Sequence, residues 1–132
     1  MGTQAARPER EFAMVGLVIL VVEDEVLLRL NAISLLEDAG YVVVEAANAD
    51  EAILVLEARA DIRIVFTDIN MPGSMDGLKL VEAVRLRWPP VLLIVTSGKN
   101  ALRDSDLPEG GRFVPKPYTS EQVLSVIERL GA

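Results

Sequence analysis

The chain has 132 residues, 51% of them hydrophobic and 25% charged, with 13 Lys and Arg against 20 Asp and Glu for a net charge of -7. That size and balance describe one compact domain with its own core, and a negative field with scattered basic residues disfavours nucleic acid as a partner. Cysteine and histidine are both absent, which excludes disulfides, zinc sites and histidine acid–base catalysis.

Residues 1 to 13, MGTQAARPEREFA, carry no periodicity and suit a flexible N-terminal arm, with the domain proper expected over 14 to 132. Five apolar runs follow: Leu17 to Val22, Tyr41 to Val44, Ile62 to Thr67, Val91 to Thr96 and Arg112 to Val114. Amphipathic segments separate them, an alternation that predicts an α/β fold with a parallel sheet covered by helices on both faces. The first helix is expected over Val26 to Ala39, with Val26, Leu30 and Ile33 as its core stripe and Gly40 as its stop. Asn48 and Glu51 have the spacing of a capping box for the second. A third spans about Asp76 to Trp88, carrying Leu80, Val81 and Val84, and Pro89-Pro90 ends it. The stretch 99 to 111, KNALRDSDLPEGG, is poor in apolar residues and broken by Pro108 and Gly110-Gly111, so one helical turn at most is expected. The last helix starts at Thr119 with Gln122 in the box position and Val123, Val126, Ile127 and Leu130 on one stripe. No signal-peptide core is visible and the longest apolar run ends at Val22, which places the chain in the cytoplasm.

Ligands of doubly wound sheets bind beyond the carboxyl ends of the strands. The residues there are Glu23 and Asp24 after the first run, Asp68 and Asn70 after the third, Ser97 and Gly98 after the fourth, and Lys116-Pro117 near the fifth. Singly these read as a helix cap, a turn and a solvated lysine. Gathered in one crevice, the carboxylates would repel one another unless a cation sat among them or one was protonated. Oxygen-only donors select Mg²⁺ or its relatives, Lys116 suits a phosphate oxygen, and Ser97 supplies a hydroxyl. Acids, a metal, a lysine and a hydroxyl together describe phosphoryl transfer.

These residues sit in VVEDE, FTDINMPGSMDGL, VTSG and FVPKPY, and as a set they resemble the receiver domain of bacterial two-component response regulators over residues 16 to 131. The resemblance implies the flavodoxin-like strand order 2-1-3-4-5 and phosphoryl transfer from a sensor histidine kinase onto Asp68. It implies that Asp24, Asp68 and the Asn70 backbone carbonyl hold Mg²⁺, with Glu23 acting through a metal-bound water. Lys116 would pair with the phosphate through a cis bond to Pro117. Ser97 is preferred as the switch hydroxyl because Gly98 follows it, with Thr96 as the alternative, and Phe113 is the candidate switch aromatic. MPGSMDG is one residue longer than the usual loop and is similar to stand-alone receivers paired with HWE-type kinases. Nothing follows the last helix beyond Ala132, so the signal is expected to leave by protein contact or phosphotransfer. A receiver-fold adaptor that signals by binding alone is the alternative function, and completeness of the site separates the two.

Overall fold

The computed structural model describes residues 16–70, 77–98, 102–108 and 110–131. The expected arm (1–13), residues 71–76 of the MPGSMDG loop and the proposed start of the third helix at Asp76 fall outside these. Among the described residues the elements are β1 (Val18–Val22), α1 (Val26–Asp38), β2 (Val42–Ala46), α2 (Ala49–Ala58), β3 (Ile62–Asp68), α3 (Gly77–Arg87), β4 (Leu92–Ser97), a 3₁₀ turn (Asp104–Asp106), β5 (Arg112–Pro115) and α4 (Ser120–Gly131). All strands are parallel in the order β2-β1-β3-β4-β5, the flavodoxin-like arrangement expected, and each predicted strand lies within two residues of its observed span. Pro115 ends β5 at the sheet edge, where its missing N–H costs nothing.

Alternation along the strands sorts their side chains onto two faces, apart from a register shift between Ile62 and Ile64 at the start of β3. One face carries Leu20, Val65, Leu93 and Val95 against Ala52 and Leu56 of α2, Leu80, Val81 and Val84 of α3, and Leu107. The other carries Ile19, Val21, Ile64, Phe66, Ile94 and Val114 against Ala32 and Leu36 of α1 and Val123, Val126 and Ile127 of α4. Burial on both faces is why β1 reads as an unbroken apolar run and β3 as one interrupted only by Arg63 before Thr67.

Local signals set the helix ends as expected. Asn48 Oδ1 accepts from the Glu51 N–H at 2.8 Å, although Glu51 reaches back to the Ala47 N–H rather than to Asn48. Thr119 and Gln122 form the full reciprocal box. Gly40 adopts φ +99 after α1, and the Gly40 and Tyr41 N–H groups bond back to the Glu37 and Leu36 carbonyls, satisfying the helix end through a left-handed residue. Between 99 and 111 the described residues contain only the 3₁₀ turn, whose Asp104 Oδ1 accepts from the Phe113 N–H at 2.9 Å and so covers the outer edge of β5.

The inward face of α1 departs from expectation. Val26 and Leu30 are 56% and 52% exposed and Ile33 is half-buried, while Ala32 and Leu36 are fully buried. The helix is apolar on most of its circumference, so periodicity does not choose a face. Closure against Tyr41 and the β1–β3 surface selects the Ala32–Leu36 pair. Leu36→Ala should therefore cost about 2–5 kcal/mol, whereas Leu27→Gln, at an 81% exposed position, should stay within roughly 0.5 kcal/mol of wild type in urea unfolding.

Candidate functional site

The carboxyl ends of β1, β3, β4 and β5 bring the predicted polar residues together. Glu23, Asp24 and Asp68 each present a carboxylate oxygen within 4.8 Å of the others. β1 and β3 are neighbours in the sheet, with Val22 opposite Thr67, so acids placed one or two residues after each apolar run must meet. Lys116 comes from beyond β5 and passes over the end of β4. Its Nζ donates to Glu23 Oε1 at 2.9 Å and to Asp68 Oδ2 at 3.0 Å. The end of β4 is small at this point: a Cβ on Gly98 would lie 3.6 Å from Lys116 Cβ, an ordinary contact.

The carboxylate repulsion anticipated from VVEDE is thus offset in part by the protein's own ammonium. Compensation is incomplete at Glu23. Burial pushes its carboxyl above the usual range, against the bonds from Lys116 and the Glu25 N–H, and the Asp68 charge adds to the rise. For Lys116, burial acts to lower the ammonium's pKa, but bonds to Glu23 and Asp68 outweigh it and the net shift is upward.

Asp68 is 5% exposed. Its other oxygen, Oδ1, accepts from the Asn70 N–H at 3.2 Å, and Asn70 Nδ2 donates to Ser97 Oγ at 2.9 Å. Asp24 precedes the N-cap of α1, which is Glu25 with no side-chain cap bond. Neither acid therefore caps the helix through its side chain, and Glu25 sits at the cap rather than in the first turn. The Lys116–Pro117 peptide is cis. Phe113 is half-buried and packs on the α2–α3 side of the sheet.

The two hydroxyls of β4 face opposite ways. Asp68 lies in register with Thr96, and both continue the Phe66–Ile94 face. Ser97 continues the Val95 face. Thr96 is 3% exposed and its Oγ1 has no hydrogen-bond partner among the described residues.

Three contributors were not singled out by sequence. A Cβ on Gly77 would lie 2.1 Å from the Asp68 carbonyl oxygen and 2.5 Å from Ile69 Cα, so only glycine lets α3 start against the end of β3. The Tyr118 ring packs on Phe66 at 5.5 Å, and burial raises its phenol pKa. Arg29 Nη1 donates to the Glu23 carbonyl at 2.7 Å. Gly77 and Tyr118 stand in the quoted MDG and FVPKPY, but their contacts, like the bond from Arg29 to Glu23, are set by the fold and not marked by a local pattern.

A doubly wound α/β domain with three carboxylates and a lysine at its strand ends gathers an acidic cluster, whose oxygens could hold a cation, at the place where such folds bind ligands. The chain belongs to the response regulator receiver domain family, whose model matches residues 19–128. It is 34% identical over 116 residues to chemotaxis protein CheY1 of Helicobacter pylori, covering 83% of this chain and 93% of that one. It is 32% identical to a segment of sensor kinase CckA of Brucella abortus and 30% to one of the nitrogen assimilation regulatory protein NtrX of Azorhizobium caulinodans, spanning only 12% and 25% of their lengths. Among solved structures, a response regulator receiver protein from Sinorhizobium medicae superposes with TM-score 0.80 at 30% identity, covering 87% of this chain and 94% of that one. The receiver domain of the hybrid histidine kinase CckA gives 0.74 at 30%, covering 87% and 99%. Receiver domains work with sensor kinases in two-component systems, and among the described residues no helix is long and apolar enough to cross a membrane.

A buried hydroxyl without a partner costs stability. Thr96→Val, nearly equal in shape, should raise the urea midpoint of the unphosphorylated protein, by about 1 kcal/mol in unfolding free energy.

Proposed function

We propose that this chain is a phosphoryl-accepting response regulator in which the Asp68 carboxylate takes a phosphoryl group from the phosphohistidine of a sensor kinase. The observation that carries the reading is the convergence of Glu23, Asp24, Asp68, Thr96 and Lys116 on one crevice at the strand ends. A carboxylate oxygen of Asp68 attacks phosphorus, a P–O bond forms as the P–N bond breaks, and the imidazole leaves with the electron pair and takes up a proton. Lys116, now bridging Glu23 and Asp68, is placed to follow the new negative charge onto a phosphoryl oxygen.

The donor set fits Mg²⁺: oxygen ligands only, with two or three carboxylates and part of the site half-exposed for water. Asp24, Asp68 and the Asn70 carbonyl would hold the ion, and Glu23, whose carboxylate already binds Lys116 and the Glu25 N–H, would act through water. Bound there, Mg²⁺ would neutralise charge on the phosphoryl oxygens.

Thr96, rather than Ser97, is the better switch hydroxyl. It stands beside Asp68 on the same face and its oxygen has no partner among the described residues to give up, whereas Ser97 holds the Asn70 side chain. Phe113, half-buried on the neighbouring strand β5 but on the opposite face from Thr96, is the aromatic that would answer a shift of the β4 end when Thr96 moves toward a phosphoryl oxygen. The MPGSMDG spelling supports a partner kinase of the HWE-related type. The phosphorylated chain would then act by protein contact or pass the group on, in the cytoplasm.

With acetyl phosphate and Mg²⁺, wild type should gain a phosphoryl group by intact mass and Asp68→Asn should gain none; equal labelling of the two, or none in either, would sink the reading. Asp24→Ala should lose Mg²⁺ binding, whereas Glu25→Ala should retain it.

A further inference from the structure

Arg29 is an unexpected cation in an apolar helix face beside the acid site, and phosphoryl transfer as described above gives it no task. Its side chain is only 14% exposed. The guanidinium is shared between two oxygens: Nε donates to Glu45 Oε1 of β2 at 2.8 Å, and Nη1 donates to the main-chain carbonyl of Glu23 at 2.7 Å.

The second bond completes an unusually full set on one residue. The Glu23 N–H bonds to the Ala46 carbonyl, Oε1 accepts from Lys116, Oε2 accepts from the Glu25 N–H, and the carbonyl accepts from Arg29. Three of these bonds fix the Glu23 nitrogen and carboxylate. Among the described residues, only Arg29 acts on the carbonyl, which belongs to the planar peptide joining Glu23 to Asp24. No hydrogen bond holds the Asp24 side chain among the described residues, so the position of its Cα, fixed by that peptide, is the restraint on its carboxylate that the fold supplies.

We infer that Arg29 is a positioning residue for the cation site: by clamping the Glu23–Asp24 peptide against β2, it aims Asp24 at Asp68. Glu45 is the outer anchor that keeps the guanidinium in place. The inference rests on the reading of Asp24 as a Mg²⁺ ligand and adds the device that preorganises it. A planar fork is needed, because a lysine ammonium carries the charge but cannot span both oxygens in a fixed geometry.

The sign of one effect separates this from plain electrostatics. Arg29 places a positive charge beside three carboxylates, so if charge alone mattered, removing it would tighten Mg²⁺ binding. If Arg29 positions Asp24, removing it loosens binding, as loss of a supporting residue around metal ligands does, by roughly 10-fold or more. Mg²⁺ titration of the unphosphorylated full chain by calorimetry or amide NMR reads this directly, with thermal unfolding of each variant to confirm a folded state. Arg29→Met should bind roughly 10-fold more weakly, and Arg29→Lys should fall between it and wild type. Affinity equal to or tighter than wild type in Arg29→Met overturns the inference. If Arg29→Met does not fold, Arg29→Lys decides by the same criterion. Absence of Mg²⁺ binding in wild type would instead remove the cation-site reading itself, and this one with it.

Discussion

The Lys116 ammonium, held between Glu23 and Asp68 at 2.9 and 3.0 Å, is the interaction on which the site depends. Two carboxylates at most 5% exposed and a third beside them cannot share one crevice without positive charge nearby. Lysine supplies it from the far side of β4, and in doing so ties the end of β5 to β1 and β3. Burial holds the Glu23 carboxyl above its usual range, with a smaller push from the Asp68 charge, while three carboxylates face one ammonium in the crevice.

Strand alternation turns this cluster into a directional site. Glu23, Asp68, Thr96 and Lys116 follow Val21, Phe66, Ile94 and Val114, all on the α1–α4 face of the sheet. Ser97 follows Val95 onto the opposite face and bonds to Asn70, whose N–H in turn holds Asp68. The Asp68 carboxylate is therefore braced from both sides, by Lys116 on one oxygen and by the Ser97–Asn70 relay on the other. Gly77 permits this bracing, since any side chain there would collide with the Asp68 main chain.

Much of the fold was legible because burial on both faces leaves near-continuous apolar runs, and because caps such as Asn48 and Thr119 are local chemistry. The face of α1 was not legible: with Val26, Leu27, Leu30, Ala32, Ile33, Leu35 and Leu36 spread around the helix, which side meets the sheet is decided by packing. The acids and Lys116 could be placed together because each follows directly on a strand. Neighbouring Gly98 pointed to Ser97 as the hydroxyl facing the site, yet the register of β3 on β4 puts Thr96 beside Asp68. Arg29 left no trace in local pattern because its anchor, Glu45, lies 16 residues away.

The most direct measurement is the thermal unfolding of Lys116→Met at neutral pH with and without Mg²⁺, beside wild type. Removing the ammonium leaves buried carboxylates uncompensated, so the variant should lose about 3 kcal/mol without the metal and recover more stability than wild type when Mg²⁺ is added. An unchanged midpoint without Mg²⁺, with equal Mg²⁺-induced shifts in the two proteins, would contradict the central role of Lys116 in holding the acids together.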